Sequence, residues 1–196
     1  MNASSATIYR DATDRAMDEE TSEIGNGFSE DVCLKWEQVF TEANTPQTRK
    51  VALRTSIVFG KGKGGPYEAF RNVVRLGLGG KMGSGNQYVS WIHLEDFCRA
   101  LLWIMEHPEI TGAINLASPN PMKNLEFMRE FRRAGGMPIG LPAMEWMLEI
   151  GAFLLRTETE LLLKSRRVVP ARLLASGFEF KFQEFASGAS EISQKS

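Results

Sequence analysis

The order of apolar and polar positions along the chain predicts strands that alternate with helices. Residues 51–59 are apolar and β-branched on both faces, as expected of a buried parallel strand. Shorter strands are expected at 88–92 and 113–116. Helical spacing of apolar residues predicts helices over 28–43, 67–78, 94–106 and 124–134. This alternation is typical of an α/β fold built on a parallel sheet.

The predicted helices carry candidate caps and apolar stripes. In the first, Phe28, Trp36 and Val39 recur at near-helical spacing, and Ser29 is a candidate cap. Asn124 is the candidate cap of the fourth. The second is expected to turn its apolar side chains inward, namely Phe70, Val73, Val74 and Leu76.

The last third of the chain is expected to be richer in helix. Pro142 opens a segment whose apolar face over 144–163 predicts a long helix. Three phenylalanines from Phe178 to Phe182 alternate as in a strand or extended segment packed on the rest. The last ten residues, rich in Ser, Gly and Ala, are expected to be loosely ordered. A Pro-Asn-Pro turn predicts a boundary at residue 121, between a unit over 1–121 and a helix-rich unit over 122–196.

Composition narrows the class of protein. The 196 residues are 43% hydrophobic and 24% charged, as in ordinary globular domains. A net charge of -1 gives no reason to expect nucleic acid or an anionic membrane as partner. No apolar run reaches the roughly 18 residues of a membrane span. Cys33 and Cys98 lack paired spacing, which favours free, buried thiols in a reducing, cytoplasmic compartment, and no zinc site is expected. The basic cluster over 164–167 is expected at a solvated helix end.

A glycine-dense loop is the first candidate for a binding site. Five glycines between Gly77 and Gly85 allow positive φ and a close approach of backbone to a ligand. Lys81, Ser84 and Gln87 belong to the same loop, where backbone N–H groups and one cation would meet a phosphate or a sugar. A loop shaped only for turning is the equal alternative. Trp91 and His93 follow as candidate substrate contacts. For His93 the alternative is a core histidine that bonds the backbone.

Several motifs together resemble one protein family. They are SSATIY at 4–9, WE at 36–37, LRTSIVFG at 53–60, GLGGKMGSGNQYVSWIHLEDF at 77–97, NLASPNP at 115–121 and VVPARLL at 168–174. The chain thereby resembles the extended short-chain dehydrogenase/reductase family, of the NAD-dependent epimerase/dehydratase type. Within that family it resembles the YfcH-type nucleoside-diphosphate-sugar epimerases, also named cell-division-inhibitor-like. The resemblance implies a Rossmann-like doubly wound sheet, a small helix-rich C-terminal region and an NAD(P) cofactor, with NADP slightly favoured.

The resemblance also implies positions for the site. Family enzymes place a Ser or Thr at a strand end and a Tyr-x-x-x-Lys pair on the next helix, which exchange a proton while hydride moves to or from nicotinamide. Ser5 takes the hydroxyl position. The helix over 28–43 has no tyrosine, and Phe28 with Val32 stands in the register of that pair to within two residues. Tyr9 is the alternative proton donor, and a packing or surface role is the other alternative for it.

A second set of positions concerns the cofactor and the substrate. The strand end at 54–58 is implied to contact the cofactor through Arg54, Thr55, Ile57 and Val58. Arg54 has the alternative of a structural ion pair. Val89 stands where nucleotide-sugar epimerases often carry an arginine, which weakens the case for a nucleotide-linked substrate.

Three functions stay open from the sequence, and whether there is turnover stays open with them. The first is an epimerase/reductase-like enzyme for a sugar or nucleotide-sugar. The second is a catalytically silent NAD(P)-binding or regulatory protein, favoured by the missing Tyr-x-x-x-Lys. The third is a partner-binding module that uses the face over 144–163.

The family's first strand, glycine-rich turn and helix are not found in this sequence. We therefore expect a truncated, C-terminal part of a longer protein that does not hold the cofactor alone. Such a part is also expected to self-associate into homo-oligomers or to be poorly stable.

Overall fold

The computed structural model describes residues 1–21, 23–62, 64–142 and 164–194. Its strands are β1 (Asn2–Ser5), β2 (Val51–Thr55), β3 (Ile57–Phe59), β4 (Tyr88–Val89), β5 (Trp91–His93), β6 (Gly112–Leu116) and β7 (Met122–Lys123). Its helices are α1 (Phe28–Glu42), α2 (Pro66–Arg75), α3 (Leu94–Glu106), α4 (Asn124–Ala134), α5 (Ala171–Ala175) and α6 (Phe185–Gln194), with a short 3₁₀ helix at Ala6–Ile8. The predicted segment over 144–163 lies outside the described residues.

A parallel three-stranded sheet of order β1-β2-β6 organises the structure. β3 and β5 form a second parallel pair, and β4 and β7 an antiparallel pair. Parallel strands joined by helices confirm the predicted α/β, Rossmann-like class. The division at residue 121 stays a prediction.

Two predicted strands are each split in two by a serine. Ser56 interrupts 51–59 because both its backbone N–H and its hydroxyl donate to Leu116 O, at 3.0 and 2.9 Å. Ser90 interrupts 88–92, since its hydroxyl donates to Arg166 O at 2.6 Å and accepts from Val168 N at 2.7 Å. Each half therefore pairs with a different strand.

An aromatic cluster fills the core between the second parallel pair and helices α2, α4 and α6. Phe59 lies at its centre, with ring centroids 5.6–6.2 Å from four other phenylalanines, Phe70, Phe127, Phe131 and Phe185. The run from Phe178 to Phe182 is an extended segment whose three rings are buried, which confirms the alternation predicted for it.

Helix α1 departs most from its predicted packing. Phe28, Trp36 and Val39 are 77%, 56% and 71% exposed. The side chains that α1 buries are Glu30 and Cys33. α1 begins after Gly27, so Ser29 is inside the helix and does not cap it.

Several smaller expectations were wrong. Leu76 is exposed because α2 ends before it. Asn124 is the first residue of α4, and its Oδ1 accepts from Met82 N at 2.8 Å instead of capping the helix. Cys98 is exposed, whereas Cys33 is buried as expected.

The end of the chain is better ordered than its composition predicted. The last residues up to Gln194 form α6, which buries Phe185, Ala189 and Ile192 at helical spacing. The basic cluster is not simply solvated: Lys164 and Arg166 pair with the buried Glu30 carboxylate at 3.0 and 3.1 Å. The helix expected before it lies outside the described residues.

The two residues before β2 hold the C-terminal ends of two helices. The Arg49 guanidinium donates to the carbonyls of Ile104 and His107 at the end of α3, at 2.9 and 2.8 Å. Lys50 Nζ donates to carbonyls at the end of α1, those of Thr41 and Ala43. Cations at these positions satisfy carbonyls that have no partner within the helix. Among the described residues, no helix combines the length and apolar character needed to cross a membrane.

Candidate functional site

The candidate site lies where the parallel strands end. Ser5 and Thr55 are the last residues of β1 and β2 and are paired in register. Ligands of open α/β sheets bind at this carboxyl edge. The Ser5 hydroxyl accepts from Thr7 N at 3.1 Å and donates to Thr7 Oγ1 at 2.9 Å, which fixes it as the N-cap of the 3₁₀ helix. The side chains of Ser5 and Thr55 are half-buried, and so are those of Ile57 and Val58, which follow β2.

Cys33 is the residue that α1 brings to Ser5, and the sequence analysis missed it. Its buried thiol lies beside the Ser5 side chain. Burial, helped by the carboxylates of Glu37 and Glu30, raises the pKa of the Cys33 thiol. Cys33 therefore stays a neutral thiol at neutral pH, without the thiolate character of a nucleophile.

The position of Cys33 also sets the register of the missing acid/base pair. Ser29 lies four residues before Cys33, one helical turn away on the same side of α1. A Tyr-x-x-x-Lys pair facing Ser5 would thus occupy positions 29 and 33, one residue on from the register of Phe28 and Val32. In the sequence, the four-residue spacing between Cys33 and Glu37 could have indicated this register, since both side chains face β1.

A row of polar side chains crosses all three strands of the main sheet. Ser4, Arg54 and Asn115 are register neighbours on β1, β2 and β6. Glu37 of α1 accepts from Ser4 Oγ at 2.6 Å and from Arg54 Nε and Nη2 at 2.9 and 2.7 Å. Burial disfavours the Glu37 carboxylate, but the hydrogen bonds from Arg54 and Ser4 outweigh it and lower its pKa. Arg54 thus forms the structural ion pair that was its alternative role.

Tyr9 joins this network through hydrogen bonds to Asn115 and Arg54. Its side chain is fully buried, its hydroxyl donates to Asn115 Oδ1 at 2.8 Å and accepts from Arg54 Nη1 at 2.9 Å. Burial raises the pKa of Tyr9 despite the opposing effect of Arg54. The phenol is therefore engaged in internal bonds, which is the geometry of a structural residue.

The glycine-dense loop is held by backbone packing and by hydrogen bonds within the loop. A Cβ on Gly80 would lie 2.5 Å from the Leu141 carbonyl carbon, so this glycine is required by backbone packing. Gln87 is buried, and its amide donates to Met82 O at 2.8 Å while it accepts from Ser84 Oγ at 3.0 Å. Lys81 is the exposed cation of the loop. Packing requires Gly80, and positive φ favours glycine at Gly77, Gly83 and Gly85. Contact with a substrate stays a prediction for Lys81 and Ser84.

Trp91 and His93 are interior residues. The Trp91 indole donates to Asn120 O at 3.3 Å. His93 Nδ1 accepts from Glu95 N at 3.1 Å and thereby caps α3, and its ring lies 3.9 Å from that of Phe182. Burial lowers the pKa of His93, although Glu191, with an oxygen 3.4 Å from Nε2, opposes this. Within the described ranges no group of three His, Cys, Asp or Glu side chains is placed to hold a metal ion.

Two family models match this chain, over different ranges of residues. The family model described as the NAD dependent epimerase/dehydratase family matches residues 1–117. A model described as a domain of unknown function (DUF1731) matches residues 145–192. The epimerase family protein Mb2239 of Mycobacterium bovis is 37% identical over 92% of this chain and 58% of its own length. The human epimerase family protein SDR39U1 is 31% identical over 94% of this chain and 61% of its own length.

A solved structure supports the same assignment. The crystal structure of human SDR39U1 (isoform 2) with NADPH matches with a TM-score of 0.88 and 29% identity, over 99% of this chain and 64% of that chain. The chain thus spans about three fifths of the length of these relatives.

Proposed function

The chain belongs to the NAD-dependent epimerase/dehydratase family, and on that basis we propose that it supplies the catalytic edge of an NAD(P)-binding, epimerase/reductase-like protein. The observation that carries the proposal is the pairing of Ser5 with Thr55 at the carboxyl ends of β1 and β2. Two hydroxyls side by side at this edge suit a ligand with polar oxygen groups.

The residues present fit one end of the cofactor. Ser5 and Thr55 offer hydroxyls, and the half-buried Ile57 and Val58 offer apolar surface, a combination that matches a nicotinamide ring with its amide. When bound, the cofactor supplies hydride transfer. The part of the cofactor that carries the pyrophosphate needs a glycine-rich turn at a helix N-terminus. In the proposal, that turn belongs to the part of the relatives' length that this chain does not cover. NADPH rather than NADH is the proposed form, supported by the NADPH in the human relative's structure.

The proposed substrate is a sugar or a nucleotide-sugar, in line with the resemblance to YfcH-type epimerases. Lys81 and Ser84 are its proposed contacts. The proposed location of the protein is the cytoplasm. The internal bonds of Gln87, Trp91 and His93 make these three residues supports of that surface in the proposal.

A catalytically silent, cofactor-binding protein is the second candidate, and one observation favours it. Cys33 of α1 lies beside Ser5, and Ser29 precedes Cys33 by one helical turn. Neither a neutral thiol nor a serine hydroxyl has the lowered pKa that a Tyr–Lys pair gives to its phenol. In this second reading the fold binds NADPH and reports its presence to a partner.

Turnover separates the two candidates. The chain, fused to the upstream segment of the mycobacterial relative, would be mixed with NADPH and a panel of nucleotide sugars and keto sugars. Oxidation of NADPH by a keto sugar, or epimerisation of a nucleotide sugar in the presence of the oxidised cofactor and without its net consumption, supports the enzyme. Either activity should be lost in Ser5→Ala but kept in the exposed Ser187→Ala control. NADPH binding without turnover on any substrate supports the silent protein. A double variant, Ser29→Tyr with Cys33→Lys, then tests whether the acid/base pair alone was missing.

A further inference from the structure

A cavity of about 180 Å³ lies where α2, the end of α4 and α6 meet. It is lined by Tyr67, Arg71, Val74, Arg75, Phe131, Gly135, Met137 and Ser193. None of the residues at the strand edge lines it, so it is separate from the site described above.

The lining of this cavity is positively charged. Arg71 and Arg75 are four residues apart on α2, so their side chains emerge on the same face. No acidic residue is among the lining residues. Glu68 Oε1 approaches Arg71 Nη2 only to 3.5 Å, longer than a charge-assisted hydrogen bond, and Glu68 Oε2 accepts from Gly64 N at 2.6 Å. Arg71 thus has a long ion pair with Glu68, which does not line the cavity, and Arg75 forms no ion pair with any described residue.

One nitrogen of Arg71 is buried and has no hydrogen-bond acceptor. Arg71 Nε is inaccessible to solvent and makes no hydrogen bond. A buried donor on a charged group that lacks an acceptor is costly, so such atoms call for an explanation. Rotation of the Arg71 guanidinium toward the cavity would give Nε an acceptor on a bound anion, because Nε and a neighbouring Nη form a side-on fork that matches the two oxygens of a carboxylate.

The remaining walls are apolar. The rings of Tyr67 and Phe131 lie with centroids 5.2 Å apart, and Val74 and Met137 complete the surface. The volume is below the roughly 300 Å³ at which drug-sized pockets begin. The ligand must therefore combine a negative group with a compact apolar body.

We propose that this cavity binds a small organic carboxylate, with its oxygens on Arg71 and Arg75 and its apolar body against Tyr67 and Phe131. The inference does not depend on the cofactor or on the strand-edge site. It gives the chain a second, anion-responsive ligand site on the helical layer.

Calorimetric titration of the full chain with benzoate tests the proposal, with benzyl alcohol as the neutral probe of similar shape. We expect saturable binding of benzoate with a Kd of about 1 mM or tighter and no saturable binding of benzyl alcohol. Arg71→Gln is expected to weaken benzoate binding about tenfold or more, as loss of a charge-assisted pair does. Arg75→Gln is expected to weaken it by a smaller factor.

Arg129→Gln is the matched control, because it removes the same charge from an exposed residue of α4 outside the cavity. Its affinity for benzoate should equal that of the unmodified chain. Arg71→Lys keeps the charge but removes the Nε fork, and it is expected to bind more weakly than the unmodified chain even if Arg71→Gln fails to fold. Absence of saturable benzoate binding, equal binding of benzyl alcohol, or unchanged affinity in the Arg71 and Arg75 variants would each overturn the proposal.

Discussion

Arg54 and Glu37 form a two-point ion pair, with Nε and Nη2 of the guanidinium 2.9 and 2.7 Å from the two carboxylate oxygens. Their side chains are 12% and 13% exposed. The pair ties α1 to the central strand β2. Glu37 lies one helical turn after Cys33, and Arg54 is the register partner of Ser4, the residue before Ser5. Whatever chemistry takes place at the strand edge therefore depends on this pair to hold the helix in place.

Removing one partner of this pair should cost stability. Glu37→Gln leaves the Arg54 charge buried without a counter-charge, and we expect a loss of about 3 kcal/mol or more in the free energy of unfolding. Asp31→Asn is the control, because the Asp31–Lys35 pair is exposed and worth less than about 1 kcal/mol. Urea unfolding of both variants measures the difference. Equal, small losses in the two variants would show that Arg54 and Glu37 do not anchor α1.

The same pair predicts a loss of stability in acid. The pKa of Glu37 is lowered in the fold by the bonds from Arg54 and Ser4, which outweigh its burial. Its stabilisation is therefore present above the unfolded-state pKa of about 4.3 and is lost as the pH falls through the lower, folded value. The free energy of unfolding, followed from neutral to acidic pH, should fall less steeply in Glu37→Gln below about pH 4.3. Parallel profiles would contradict the assignment.

His93 predicts a second, milder pH window. Burial lowers its pKa in the fold, against the opposing carboxylates of Glu191, Asp96 and Glu95. The unfolded chain therefore takes up the proton first, and stability is lost as the pH falls below about 6.5. His93→Asn keeps an acceptor for the Glu95 N–H at the start of α3, so its unfolding free energy should depend less on pH between about 7 and 5. An unchanged slope in that window would show that His93 does not titrate differently in the two states.

Truncation of two phenylalanines to alanine should change the free energy of unfolding by very different amounts. Phe59 is buried at the centre of the aromatic cluster, and Phe59→Ala should cost about 3–5 kcal/mol through lost burial and a new cavity. Phe28 is exposed on α1, and Phe28→Ala should change stability by less than about 0.5 kcal/mol. Chemical denaturation of both variants checks this. A large loss from Phe28→Ala, measured at a concentration at which the chain is monomeric, would contradict the prediction.

The exposed stripe on α1 predicts self-association of this chain. Phe28, Trp36 and Val39 form an apolar patch on one helix, of the kind that marks a contact surface. Sedimentation velocity should show concentration-dependent oligomers that Trp36→Glu reduces. Leu125→Glu, at an exposed position of α4, should leave them unchanged. A monomer at all concentrations, with a high and cooperative melting transition, would contradict the prediction.

The class of fold was predictable because periodicity reports it directly. The helices at 94–106 and 124–134 match α3 and α4 because a buried stripe recurs along each of them. The splits at Ser56 and Ser90 were not predictable, since they arise from side-chain bonds to backbone residues about 60 and 76 positions away.

The packing of α1 and the order of α6 show the limits of pattern. Apolar periodicity marks a face but does not say whether anything covers it, so the exposure of Trp36 was invisible. The helix at Phe185–Gln194 was hidden by small residues, although Phe185, Ala189 and Ile192 held the spacing. At the site, the resemblance pointed to Ser5, whereas Cys33 needed the structure, because only the fold shows which side of α1 meets β1.

Calorimetric titration with NADPH and NADH tests the central claim most directly. It would compare this chain with a fusion that adds the family's strand, glycine-rich turn and helix at the N-terminus. We predict that only the fusion binds, with NADPH bound more tightly than NADH, because in the proposal Ser5, Thr55, Ile57 and Val58 contact the nicotinamide and the added turn contacts the pyrophosphate. Binding by neither form would contradict the assignment of a cofactor site to this edge.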